Sequence, residues 1–348
     1  MSHAYFENPA LLSIPFDQYE RYQMIREAVL AAAPVIAPDR PLKILDVGGY
    51  AQLRRGGEIL LARAFLPMHE VYVLDQPACQ LEGYIQGDGR HLQFAAQSFD
   101  LVISCDAYEH VPAADRQGFW QELLRVARAG VLLTAPFAHP QVVACEQFLF
   151  DYIYRETNGF EQRQLREHAA YGLPDLAATQ AMLSTLGVQS CAYPGGQVEL
   201  WLGMMLVKHY LLLSVQSFDL EEYLDAYYIQ RLVATERREP AYRHLVLAAP
   251  AAQAAWLPLA DAVLTQAMHT PTPTAPDEIV GWRAMQQHYA WLHQQHIAQT
   301  AYIATLEQTL QQKNQHIAHL EQLLQQIANG RVMRLLNRIN PRTPAPRG

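Results

Sequence analysis

Cysteine is scarce in this chain of 348 residues. The four thiols, Cys79, Cys105, Cys145 and Cys191, are widely spread, and none forms a CxxC pair. That excludes zinc-ribbon spacing and a disulfide framework, so reduced thiols are the default and no metal site is expected. The first residues, MSHAYFENPALLSIPFD, lack the basic-then-apolar order of a secretory signal. The most apolar run, Trp201 to Val215, is interrupted by Lys208 and His209 and reads as too short for a bilayer. A basic excess is also missing. The net charge of -8 leaves little to neutralise phosphates, so no nucleic-acid partner is expected. Together these absences predict a cytoplasmic chain, with room for peripheral contact at the inner membrane surface.

Half of the residues are hydrophobic, enough for a sizeable core, and the length suits one large domain with an appendage. From about residue 20 to 250, short apolar runs alternate with helical patterns. The pattern predicts a helix over 17–33 that Pro34 ends, within an N-terminal helical segment 1–40. Strands follow at KILDV (43–47), EVYVLD (70–75), GYIQGD (83–88), FDLVISC (99–105) and GVLLTAP (130–136). A short helix spans Leu60 to Phe65. A second covers Ala113 to Ala129, with Phe119, Leu123, Leu124 and Val126 inward and Gly130 as its stop. A helix at about 175–186, a strand at 187–193 and a last strand, RHLVLAA (243–249), complete the series. Continuous apolar strands between helices indicate a parallel sheet covered on both faces, an α/β doubly wound fold. Helical stretches at 198–215 and 219–236 read as an insertion, about 195–238, beside the substrate-bearing edge of that sheet.

The stretch HTPTPTAPD (269–277) holds three prolines and three threonines in nine residues, and a linker is expected over 251–280. From 281 to 328, Met285, Tyr289, Leu292, His296, Gln299, Ile303, Leu306, Leu310, Lys313, Ile317, Leu320, Leu324 and Ile327 keep a four–three spacing. Ten of these thirteen are apolar, the mark of a coiled coil that would make the chain a homo-oligomer. A single amphipathic helix folded back on the main domain is the alternative. The basic tail, 329–348, carries five arginines, with Val332, Leu335, Leu336 and Ile339 on one helical face. It suits an anionic lipid surface, a partner or solvent equally.

Chemistry concentrates at the strand ends. KILDVGG (43–49) ends the first strand with Asp46, Gly48 and Gly49, a place where glycines let a nucleotide-like ligand approach the backbone. Asp75 ends the second strand, where a carboxylate can accept both hydrogen bonds of a ribose diol. Asp88 and Gly89 end the third, placed to take an adenine amino group, and Cys105 and Asp106 end the fourth.

With these elements in this order, the chain resembles the class I S-adenosylmethionine (SAM)-dependent methyltransferases, the methyltransferase type 11 group in particular. The telling stretches are GDGRHLQFAAQSFDLVISCDAYEHVP (87–112) and QELLRVARAGVLLTAPF (121–137). The likeness implies a seven-stranded, mostly parallel Rossmann-like sheet with its last strand antiparallel, in a methyltransferase domain over 41–250. It also implies SAM as cofactor, held at its methionyl part by Asp46, Gly48 and Gly49, at its ribose by Asp75 and at its adenine by Asp88. EHAAYGLPDL (167–176) and REPAYRHLVLA (238–248) resemble bacterial members that work beside cell-surface glycan enzymes. O-methylation of a glycan intermediate is therefore the leading expectation, ahead of a small molecule such as a quinone.

One departure concerns the first loop. Where the family often continues as GxGxG, Gly48 and Gly49 lead into Tyr50 and Gln52. Either these side chains narrow the methionyl pocket or the loop runs through Gly56 and Gly57. A closed pocket would make the domain a scaffold assembled by its coiled coil. A hydroxyl acceptor calls for a base, and His110 and then His168 are the catalytic candidates. Arg21 and Tyr19 could reach the SAM carboxylate or serve packing. Tyr171, Trp201 and Tyr242 could line an acceptor pocket or belong to the core.

Overall fold

A computed structural model describes residues 11, 14–53, 55–157, 159–268 and 276–339. They form two compact units, 1–273 and 274–348. In the first, the apolar runs become β1 (Lys43–Val47), β4 (Glu70–Asp75), β5 (Tyr84–Gln86), β6 (Phe99–Cys105), β7 (Ala127–Pro136), β8 (Val188–Gln197) and β9 (Ala241–Pro250). A short hairpin, β2 (Tyr50–Gln52) and β3 (Glu58–Leu60), stands apart from them. The seven-stranded order is β5-β4-β1-β6-β7-β9-β8. The pairings from β5 through β7 are parallel, while β9 runs antiparallel to both β7 and β8. This is the expected sheet, with only its last strand reversed. All residues of β6 are buried, as a central strand covered on both faces requires.

Helices α1 (Phe16–Ile36), α2 (Leu61–Phe65), α3 (Arg116–Val126), α4 (Pro140–Glu156), α5 (Arg163–Tyr171), α6 (Leu176–Thr185), α7 (Val198–Tyr210), α8 (Phe218–Arg231) and α9 (Leu257–Met268) accompany the sheet. Several differ from the expectation in instructive ways. Pro34 does not end α1, which runs on to Ile36. A proline costs a helix most where it removes a hydrogen bond from a long continuation, and here only the last turn is left. Gly130 is not a helix stop either, because α3 ends at Val126 and Gly130 lies within β7. A Cβ there would sit 2.5 Å from the Ala248 carbonyl oxygen and 2.8 Å from the Trp256 ring. Its smallness serves the packing of Trp256, whose indole donates to the Ala129 carbonyl at 3.1 Å.

That indole also revises the domain boundary. Residues 251–268, expected in the linker, form a 3₁₀ turn and α9, with Trp256, Leu257, Ala260 and Leu264 buried. Burying an indole and two leucines offsets the cost of ordering the segment, an effect that a prolyl and threonyl composition farther along obscures. Residues 269–275, the centre of the expected linker, lie outside the described residues.

The run Val198–Val215 is long and apolar enough, by length and composition, to cross a membrane. In the fold it serves the core: Val198, Trp201, Met204 and Leu206 are buried. Buried Lys208 meets Asp225 at 2.6 Å and Glu221 at 3.1 Å, so its charge is neutralised from α8.

In the second unit, α10 (Pro276–Ala328) is a single helix of 53 residues, roughly 80 Å long. From Ile303 onward its heptad residues Leu306, Leu310, Ile317, Leu320, Leu324 and Ile327 are all exposed. The side chains of Met285, Tyr289, Leu292 and His296 lie outside the described residues. Helix α11 (Arg331–Ile339) likewise exposes Val332, Leu335, Leu336 and Ile339. The remainder of the basic tail, 340–348, lies outside the described residues.

Candidate active site

Every parallel strand ends at the same edge of the sheet, and the loops that follow enclose a cavity of about 370 Å³. Its floor and walls include Gly48, Asp75, Asp88, Gly89, Asp106 and His110. The sequence candidates from four separate strand ends are thus brought together. Gly48 has φ +89°, a conformation that favours glycine, and an added Cβ would press on Ala107 at 3.1 Å. At Gly89 an added Cβ would fall 2.5 Å from the Val47 side chain. The third-strand loop therefore lies directly on the first.

The carboxylates have distinct settings. Asp75 accepts backbone N–H bonds from Gln76 at 2.7 Å and Tyr50 at 3.3 Å, which fix its orientation. Burial raises its pKa. Asp88 accepts from the Arg90 guanidinium at 2.7 Å, and that partnership holds its pKa below the ordinary carboxylate value. Both keep a place on the cavity wall.

Asp106 is the most constrained of the group. It has φ +48°, uncommon for a residue with a side chain, directly after the buried strand β6. Its carboxylate is gripped by Arg21 from α1 and by Arg243 from β9, the latter at 2.9 Å. Burial alone would raise its pKa, but the two guanidinium charges outweigh it and hold the group low. Arg243 also reaches Glu20 at 3.1 Å.

Three expected ligand-binding residues do not reach the cavity. Asp46 is fully buried, accepting from the Tyr22 hydroxyl at 2.8 Å, and burial raises its pKa to about 7. Gly49 packs on that carboxyl, with an added Cβ 1.8 Å from an Asp46 oxygen. Asp46 and Gly49 therefore hold the shape of the first loop rather than line it. Cys105 is buried beneath the floor, and burial pushes its thiol pKa well up. Arg21 acts as the Asp106 clamp, and Tyr19 packs edge-on against Phe65 at 5.4 Å.

The altered first loop leaves the cavity open. Tyr50 belongs to the hairpin, where its hydroxyl donates to Glu58 at 2.8 Å and its ring meets Tyr84 at 5.8 Å. Neither Tyr50 nor Gln52 is among the cavity's lining residues, nor are Gly56 and Gly57.

The outer wall comes from an element that the sequence reading did not place. Helix α5 contributes Arg163, Glu167 and Tyr171. The insertion of α7 and α8, expected at the pocket, supplies no lining residue. Of the aromatic candidates, Tyr171 lines the cavity, while Trp201 and Tyr242 stack on each other at 3.6 Å in the core. The two histidine candidates differ similarly. His110 lines the cavity and joins its Nδ1 to Glu167 at 2.9 Å. His168 is buried behind it, its Nδ1 joined to Glu146 at 2.8 Å, and lines a separate, smaller cavity instead. The two imidazoles are 4.8 Å apart, centre to centre. Burial and the neighbouring His168 lower the pKa of His110, so its ring is neutral at neutral pH.

Residues 61–135 match the model of the family described as methyltransferase domain. Magnesium protoporphyrin IX methyltransferase from Synechocystis is similar at 11% identity, over 68% of this chain and 89% of that one, with a TM-score of 0.38. The plantazolicin methyltransferase BpumL is similar at 12% identity, over 66% of this chain and 84% of that one, with a TM-score of 0.38. A protein from Bacillus subtilis, YcgJ, is similar at 16% identity, over 63% and 95%, with a TM-score of 0.31. No curated protein matches the chain.

The clamp on Asp106 can be tested by stability alone. Replacing Arg243→Met leaves Glu20 and Asp106 short of a cation inside the fold, and should cost about 3 kcal/mol. Urea denaturation followed by circular dichroism measures it, and an unchanged midpoint contradicts the clamp.

Proposed function

We propose that this chain, a SAM-dependent methyltransferase by its family match and its sheet, transfers the methyl group to a hydroxyl oxygen of a saccharide acceptor. The observation that carries the acceptor class is the polarity of the lining outside the strand-end carboxylates and glycines, where His110, Arg163 and Glu167 accompany one exposed ring, Tyr171. Charged and hydrogen-bonding groups beside one aromatic face suit a hydroxyl-rich ring, whereas a quinone would call for a larger apolar wall.

On this reading Gly48 and Asp75 receive the methionyl and ribose parts of SAM, and the loop of Asp88 and Gly89 receives the adenine. SAM supplies an electrophilic methyl group on a positively charged sulfur. In transfer the acceptor oxygen would bond to the methyl carbon as the carbon–sulfur bond breaks with its electron pair on sulfur, and the hydroxyl proton would pass to water. The protein's part is alignment, exclusion of water and activation of that oxygen. His110 lines the cavity with its Nδ1 joined to Glu167 at 2.9 Å, and we assign it to that activation through its Nε2.

A second element of the proposal concerns assembly. The exposed heptad stripe of α10 is a face that a second copy would cover, and we infer a homo-oligomer formed along it. Light scattering of the full chain should give a multiple of the 39.4 kDa monomer, reduced to the monomer mass by the pair Leu310→Asp and Leu320→Asp. A wild-type monomer contradicts it.

For the reaction, transfer of labelled methyl from SAM onto mono- and oligosaccharides should give an alkali-stable ether product. Asp75→Ala should lower kcat/KM by roughly 10- to 100-fold, the worth of hydrogen bonds to a charged acceptor. Product only on apolar hydroxylated rings would overturn the saccharide class.

A further inference from the structure

Three side chains beside the cavity gather their ligand atoms in one place. Glu109 and His110 stand in the 3₁₀ turn after β6, and His168 comes from α5. Their ligand atoms all lie within 4.8 Å of one another. The Glu109 Oε1 atom is 4.0 Å from Nε2 of His110 and 4.0 Å from Nε2 of His168, too far for a hydrogen bond to either. Glu109 is 1% exposed and His168 5% exposed. Among the described residues, Glu109 Oε2 and His168 Nε2 are buried polar atoms with no hydrogen-bond partner. Buried polar atoms are seldom left unpaired, so His168 Nε2, which faces Glu109 Oε1 across 4.0 Å, calls for a partner.

The partners of the two imidazoles say what kind. Each imidazole has its other nitrogen tied to a carboxylate: His110 Nδ1 to Glu167 at 2.9 Å and His168 Nδ1 to Glu146 at 2.8 Å. Glu146 is itself oriented by the Tyr242 hydroxyl at 2.8 Å. A carboxylate accepting from Nδ1–H keeps the ring proton on Nδ1 and leaves the basic lone pair on Nε2, the arrangement found around metal-ligating histidines. An ion about 2.1 Å from each donor holds its ligands roughly 3–3.5 Å apart, so each 4.0 Å separation from Glu109 has about 0.5–1 Å to close, and the widest separation in the set, at most 4.8 Å, somewhat more.

We propose that Glu109, His110 and His168 bind one divalent transition-metal ion at the wall of the cofactor cavity. Two imidazoles and one carboxylate suit Mn²⁺, Fe²⁺, Co²⁺ or Zn²⁺ better than Mg²⁺ or Ca²⁺, which prefer oxygen. Three protein ligands leave open positions. His110 is the ligand that lines the cavity, so the open side is the side of the acceptor. This rests on the oxygen-acceptor reading above and gives His110 its task there. A hydroxyl bound to the ion releases its proton to water at lower cost, and the resulting oxygen anion attacks the methyl carbon as that carbon leaves sulfur. Scattered cysteines and missing CxxC pairs hide such a site, because its ligands are 58 residues apart along the chain, from His110 to His168.

The test uses the full chain, stripped with EDTA and titrated with Co²⁺, whose visible absorption reports imidazole coordination. The expected result is one Co²⁺ per chain at micromolar concentration. Glu109→Gln keeps the side-chain volume and should weaken binding at least tenfold, as should His110→Gln at the more exposed position. S-adenosylhomocysteine binding should stay unchanged in Glu109→Gln. No saturable Co²⁺ binding, or binding equal in wild type and both variants, overturns the site. Methyl transfer that continues at full rate in EDTA would remove the ion from the reaction while leaving the methyltransferase reading standing. Failure to bind S-adenosylhomocysteine would strike that reading, and the Co²⁺ titration would still answer for the site.

Discussion

A carboxylate that ends a buried central strand has to be neutralised where it stands, and Asp106 is neutralised by two arginines that are 222 residues apart in the sequence, Arg21 and Arg243. Arg21 arrives on the first helix and Arg243 on the last strand, and both close on the same carboxylate. The contact therefore ties α1, β6 and β9 together at the one edge where the cavity opens. It also holds Asp106 in a left-handed backbone conformation that turns the chain from the strand into the segment bearing Glu109 and His110. Without that turn the cavity wall and the convergent side chains behind it would have no common origin. The arrangement is costly in isolation, since burying ions in this way is seldom a net gain in stability. Its return is position.

The remaining carboxylates divide the labour by their surroundings. Asp75 and Asp88 stay on the wall, oriented by backbone N–H groups and by Arg90, while Asp46 is withdrawn and its pKa rises to about 7. Below that pH the folded chain holds a proton on Asp46 that the unfolded chain has released above about pH 4. Asp46 therefore subtracts from stability as pH rises from about 4 to 7. The lowered pKa of His110 acts oppositely, withdrawing stability as pH falls through the ordinary histidine range.

Much of the fold was legible because period and composition agreed. KILDV, EVYVLD and FDLVISC are three adjacent strands of the sheet, β1, β4 and β6, with the boundaries that their apolar runs mark. What stayed hidden was set by tertiary packing. Gly130 reads as a helix stop until the Trp256 ring is seen against it, and residues 251–268 read as linker until that same indole is seen buried. Helices α4 and α5 fell in a stretch given no secondary structure, although His168 and Tyr171 within it were named as candidates. His139 followed by Pro140 was the available signal, a capping residue before a proline in the first turn.

The site was legible in the same uneven way. Acidic residues and glycines at strand ends converge because a parallel sheet brings all those ends to one edge, and Asp75, Asp88 and Gly48 needed nothing more. Asp46, Gly49 and Cys105 share the same strand-end pattern but point into the body of the fold, a choice made by side-chain packing that spacing does not reveal. Arg163, Glu167 and Tyr171 come from outside the sheet altogether. The Tyr50 loop looked obstructive only because its hairpin, which carries the ring outward to Tyr84 and Glu58, was not foreseen. Calorimetric titration of the intact chain with S-adenosylhomocysteine tests the account most directly. Micromolar, one-to-one binding is the predicted result; a well-folded chain that gives no heat of binding would contradict it.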